Sequence, residues 1–216
     1  LLSNVFLHYA FDLWIEWWRR NRCRGDVVVV RYADDFVLGF QCEADARRVL
    51  DWLPQRFSEH GLTIHPAKTR LVRFRPHARG RGPKHPDLPH TFDFLGFTHY
   101  WALSRKGHWV VKQKTASDRF TRAVKKIATW CREHLHLKLT EQHAKLSQKV
   151  RGHYNYYGIT GNSIQIGRFR QEVQRAWRVW LNRRSQRAKM TWTRFQKLSK
   201  RYPLPPARAY HSVCRA

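Results

Sequence analysis

Asp34 and Asp35 are adjacent carboxylates set between two apolar runs, Val27 to Val30 and Phe36 to Phe40. β-branched and aromatic runs of four or five residues bounded by polar positions read as short strands. The chain between them must turn tightly, and Asp tolerates turn geometry. The expected product is a β-hairpin with two carboxylates at its tip. Like charges side by side are unfavourable without a cation. Hard oxygen ligands of this type suit Mg²⁺, which takes one or two carboxylates and completes its shell with substrate phosphates. A bare Asp-Asp pair also reads as a solvated turn, so the surrounding elements have to decide between the two.

Those elements are legible in outline. Residues Ser3 to Arg19 predict an amphipathic helix, capped by Ser3 or Asn4, with Val5, Phe6, Tyr9, Leu13 and Trp17 as its core face. Glu43 to His60 predicts a second helix, with Ala46, Val49, Leu50, Leu53 and Phe57 at helical spacing; Pro54 marks a kink or boundary and Gly61 a terminator. Thr69 to Arg75 predicts a strand, and Pro76 to His90 a surface loop rich in Pro, Gly, His and Arg. Thr91 to Tyr100 alternates around Gly96, and His108 to Val111 predicts a further short strand. From Thr115 the period lengthens to about 3.6. Three helices follow, carried by Phe120 to Cys131, Leu139 to Tyr154, and Ile166 to Leu181. Their short connections predict a small antiparallel bundle. Met190 to Ala216 holds one short helix and a proline-broken tail.

Charge is the second strong signal. The 216 residues carry 42 Lys and Arg against 15 Asp and Glu, a net of +27. Such an excess repels itself unless a polyanion neutralises it, and nucleic acid is the first candidate. An anionic membrane is second, and the lack of an 18-residue apolar run argues against it. Thirty aromatic residues in an apolar fraction of 42% supply a real core. The four cysteines (Cys23, Cys42, Cys131 and Cys214) form no CxxC pair, which argues against a zinc site or a disulfide framework. No secretory signal is visible, and an intracellular compartment is expected, cytoplasmic or nucleoid-associated in a bacterium.

The string Tyr32-Ala33-Asp34-Asp35, followed by Phe36-Val37-Leu38-Gly39-Phe40, resembles the YADD hairpin of reverse transcriptases, above all those encoded by group II introns. The opening LLSNVFLHYAFD resembles the second half of palm motif B. GLTIHPAKTRLVRF resembles motif D, with Lys68 at its lysine. TFDFLGFTHY resembles motif E, the primer grip, through Phe94, Leu95, Gly96 and Phe97. RGHYNYYG at 151–158 and WLNRRSQR at 180–187 resemble the thumb, or maturase X domain.

The resemblance implies an α+β chain: a partial palm at 1–114, an antiparallel sheet with packing helices, then a three-helix thumb at 115–188 and a basic tail at 189–216. It implies RNA-directed DNA polymerisation with Mg²⁺ on Asp34 and Asp35. Strand alternation places Asp34 as the direct ligand and Asp35 on the other side, as a weaker one. Lys68 would neutralise phosphate charge or protonate the leaving pyrophosphate. Tyr32, Phe94, Leu95 and Gly96 would lie along primer and template. Lys145, Lys149, Arg151, Tyr154, Arg183 and Arg184 would bind RNA or RNA–DNA duplex; for the tyrosines, packing is the reading slightly ahead. Deoxynucleoside triphosphates, a template or intron RNA, and no membrane complete the expected partners.

The chain starts Leu1-Leu2, its only methionine is Met190, and the family's fingers and motif A aspartate match nothing in it. It is therefore expected to be a portion of a longer enzyme, or one half of a split one, inactive alone. A non-catalytic RNA-binding splicing cofactor and a degenerate gene product are the alternatives.

Overall fold

The computed structural model describes residues 2–76, 90–185 and 189–212. The expected α+β organisation is the one observed: small antiparallel sheets with packing helices, then a helical bundle. Two compact units divide the chain, one of residues 1–95 with 99–111 and one of 96–98 with 112–216.

The first unit opens with one continuous helix in three parts: α1 (Leu2–Leu7), a π-helical turn (His8–Asp12) and α2 (Leu13–Asn21). The face expected to pack is the exposed one. Val5, Phe6, Tyr9, Leu13 and Trp17 are between 45% and 62% exposed, whereas Phe11, Ile15 and Trp18 are buried. The helix is apolar nearly all round, so periodicity alone cannot choose a side. The π turn then adds about one residue to the repeat and shifts the register of everything after it.

Strands β1 (Val27–Tyr32) and β2 (Asp35–Phe40) pair antiparallel, with Tyr32 opposite Asp35 and Val27 opposite Phe40. Val29, Phe36, Leu38 and Phe40 pack against the core of Phe11, Ile15, Val49, Leu53 and Phe57. The phenylalanine rings of 11 and 36 are 4.4 Å apart, an aromatic contact that ties the hairpin to the first helix. Helix α3 (Glu43–Ser58) runs through Pro54, which lies exposed, and stops before Gly61 at φ +67°. Only glycine takes that left-handed angle without strain.

Thr69 to Arg75, expected as a strand, is irregular backbone. The Arg75 amide donates to the Arg73 carbonyl at 3.2 Å instead of to a neighbouring strand. A strand needs a ladder partner, and among the described residues none flanks this segment. Residues 77–89 of the expected loop lie outside the described residues. Strands β3 (Phe92–Phe94), β4 (Phe97–Leu103) and β5 (Trp109–Thr115) form a three-stranded sheet in that order.

The second unit packs α4 (Ser117–Glu133), α5 (Leu139–Tyr157) and α6 (Ser163–Asn182) around Leu146, Val150, Tyr154, Ile166, Phe169, Val173 and Trp177. A fourth helix, α7 (Trp192–Arg201), adds Phe195 to the same core, and Leu204 follows it there. Much of the segment that read as a tail is thus core. Two buried polar side chains are paired inside: the Trp177 indole donates to Gln142 at 3.0 Å, and Asn162 bridges Thr115 and the Tyr157 carbonyl, whereas the buried Tyr154 hydroxyl has no hydrogen-bond partner. Among the described residues no helix is long and apolar enough to cross a membrane.

His153 gives this unit a pH signature. Its ring stacks on Phe169 at 3.7 Å, and burial pushes its pKa from 6.5 down to about 4. The unfolded chain therefore binds a proton that the folded one refuses. The corresponding stability is complete above pH 6.5 and is lost as the pH falls towards 4, on the order of 3 kcal/mol in total. Urea midpoints at pH 7 and pH 4.5 should differ accordingly, and His153→Gln should flatten the difference.

Candidate active site

The hairpin turn is set by two residues, Ala33 and Asp34, between the paired Tyr32 and Asp35. Ala33 sits at φ +54°. A positive φ at the first loop position is what a twist-matched two-residue hairpin requires, and Gly is the residue that normally supplies it. At Ala it costs on the order of 1–3 kcal/mol. Because Asp34 lies in the turn, strand alternation does not separate it from Asp35. Both line one cavity of about 1170 Å³, walled by the hairpin, α3, residues 62–75 and β3. Asp34 thus holds a turn position, where the expected alternation assumed a strand position.

Lys68, 33 residues beyond Asp35 in sequence, lines the same cavity from an exposed turn, its amide donating to the His65 carbonyl at 3.0 Å. Arg70, Arg73 and Arg75 join it, so the cavity lining carries cations as well as carboxylates. Polyphosphate bound with a divalent cation is a ligand type that such a mixed lining accommodates. Tyr32 is 66% exposed beside the carboxylates, free to meet a ligand ring.

Phe94, Leu95 and Gly96 form the end of β3 and the turn into β4. Leu95 at φ +49° and Gly96 at φ +76° make a hairpin turn with both central residues left-handed. All three are only part-exposed. A Cβ on Gly96 would stand 3.0 Å from the Tyr157 hydroxyl, so Tyr157 backs the turn directly. Gly96→Ala should cost about 1–2 kcal/mol of stability, measured by urea denaturation, because it adds both strain and crowding.

The expected nucleic-acid residues of the second unit separate into two kinds. Lys145, Lys149 and Arg151 on α5 are exposed, as is Arg183, whose guanidinium stacks over Trp180 at 4.6 Å. Lys149 lies 5.5 Å from the Trp130 ring. Tyr154, by contrast, is 0% exposed, and burial raises its hydroxyl pKa to about 12; it is a core ring with no face left for a base. Arg184 donates to the carbonyls of Leu135 and Leu137, closing the α4–α5 loop, and burial lowers its pKa. Arg170 and Arg178 similarly hold Pro205 and Met190. Sequence shows cations but not which of them the backbone has already claimed.

One further group went unsignalled. Arg31 donates twice to Asp12, both bonds at 2.7 Å, and a third time to the carbonyl of Ala33 at 2.9 Å. Arg31 and Asp12 are 19 residues apart on different elements, and no local spacing rule connects them.

No curated protein matches the chain. Residues 1–99, from the first helix through the carboxylate hairpin and Lys68 into β4, match the family model of the reverse transcriptase (RNA-dependent DNA polymerase).

Proposed function

We propose that this chain is the catalytic-hairpin and thumb portion of a group II intron type reverse transcriptase/maturase. The observation that carries the reading is the meeting of Asp34, Asp35 and Lys68 at one cavity, inside the segment that matches the reverse transcriptase family. Primer 3′ end, template and deoxynucleoside triphosphate are the ligands. Asp34 and Asp35 hold the divalent cation, Mg²⁺ by the hardness of their oxygens. Among the described residues no group of three or more His, Cys, Asp or Glu could hold a metal alone. Two carboxylates fit an ion that arrives with a nucleotide and takes its remaining ligands from phosphate and water. Bound there, Mg²⁺ would stabilise charge on the attacking and leaving oxygens. Lys68 neutralises phosphate charge or donates a proton to the departing pyrophosphate. Arg70, Arg73 and Arg75 attract the triphosphate into the cavity, while Lys145, Lys149, Arg151 and Arg183 grip the RNA backbone.

A second reading is a maturase-type RNA-binding splicing cofactor without catalysis. The exposed cations Lys145, Lys149, Arg151 and Arg183, which need no metal to meet an RNA backbone, favour it. The test is extension of a DNA primer on an RNA template, with and without a polypeptide that supplies a further aspartate. Extension that requires the added polypeptide supports polymerisation in an assembled enzyme. RNA binding and splicing support with no extension under either condition supports the cofactor reading.

A further inference from the structure

We propose that Arg31, locked by Asp12, is the positioning residue that holds Ala33 at its positive φ and so aims the Asp34 and Asp35 carboxylates into their cavity. The proposal rests on the reading of Asp34 and Asp35 as metal ligands.

Four observations converge on it. Ala33 is one of only two non-glycine residues with positive φ among the described residues, and it is the residue before Asp34. A conformation that alanine disfavours persists only where its surroundings over-determine it. Beside the flanking Tyr32–Asp35 pair, those surroundings include one guanidinium. Its Nη1 donates to the Ala33 carbonyl at 2.9 Å and lies 3.3 Å from the Asn4 side-chain oxygen, while Nε and Nη2 grip both oxygens of Asp12.

The fork is fixed, because a bidentate guanidinium–carboxylate pair leaves little rotational freedom. Arg31 is only 16% exposed and Asp12 28%, so water competes weakly. The Arg31 hydrogen bond is also the main reason the Asp12 carboxyl is held below its ordinary pKa. Finally, Asp12 closes the π-helical turn His8–Asp12, a local departure from α geometry of the kind that recurs at functional sites. The first helix thus reaches the hairpin tip through one side-chain pair.

Register explains why Arg31 can act this way. It lies opposite Phe36, on the helix-packed face of the hairpin, whereas Asp35 lies opposite Tyr32 on the other face. Arg31 is thus on the face opposite Asp35 and bonds the turn through its backbone, and it is absent from the cavity lining among the described residues.

The experiment is NMR on the ¹⁵N-labelled 216-residue chain and its Asp12→Asn and Arg31→Lys variants. The first readout, without metal, is the order parameter of the Ala33 and Asp34 amides. It should be about 0.85 in the parent chain and fall below about 0.6 in Asp12→Asn, with Val28 and Val29 unchanged. The second readout is MnCl₂ titration, read as broadening of the same amides. The concentration for half-broadening should rise about 10–100-fold, as when the partner that orients a ligand is removed.

Arg31→Lys keeps the charge and loses the fork, so it should reproduce both effects, and it also serves if Asp12→Asn fails to fold. Unchanged order parameters in the folded variants overturn the proposal. So does a looser turn that binds Mn²⁺ with unchanged affinity. If the parent chain shows no Mn²⁺ broadening at residues 33–35, the metal reading fails, and the order parameters still decide whether Arg31 holds the turn.

Discussion

Asp34→Asn should lower primer extension by on the order of 10²–10³-fold or more in the polymerase-competent assembly, while RNA affinity stays within about twofold. The substitution is isosteric and leaves the hairpin ladder intact, since Asp34 sits in the turn and contributes no strand pair. What it removes is a negative charge facing the cavity where the triphosphate is expected. Binding energy has another source: the exposed cations of the second unit. A loss confined to kcat, with the RNA dissociation constant unmoved, is the expected pattern. Lys68→Ala should give a milder loss, because a cation assisting the leaving group is partly replaced by Arg70 and Arg73, which line the same cavity. Full activity in Asp34→Asn would mean that the hairpin tip is only a turn.

RNA affinity should fall by about 10³–10⁵-fold between 50 and 200 mM salt, if roughly 6–10 phosphates are neutralised. After Val111 the acidic residues are Asp118, Glu133, Glu141 and Glu172 alone. Asp118 is engaged by Arg119 and Arg122, and Glu172 by Arg175. Most cations of the second unit therefore have no carboxylate to pair with, and each phosphate contact they make releases counterions. The structure sharpens the prediction residue by residue. Lys145→Ala, Arg151→Ala and Arg183→Ala should each reduce the slope of log affinity against log salt by about one. Arg184→Ala should leave the slope unchanged and lower stability instead, because its guanidinium closes the α4–α5 loop. A flat salt titration would remove the nucleic-acid reading, and equal affinity for heparin would reduce it to charge alone.

Local order determined much of this protein from sequence. The Val27–Phe40 hairpin follows from two β-branched runs around a turn, and the α4, α5 and α6 helices follow from apolar residues every three or four positions. Asp34, Asp35, Lys68 and Gly96 were legible because their motifs are short and contiguous. Tertiary structure decided the rest. It chose the buried side of the first helix, whose apolar residues surround it, through a π turn that no pattern announces. It left Thr69–Arg75 without a strand, because pairing depends on a neighbour and not on alternation. It drew Tyr154 and Arg184 out of the binding set by burying one and spending the other on backbone carbonyls. It also joined Arg31 to Asp12, a contact between elements 19 residues apart. Periodicity reports which residues can share a face; only packing decides what that face meets, and a guanidinium's partner is fixed by where the backbones pass.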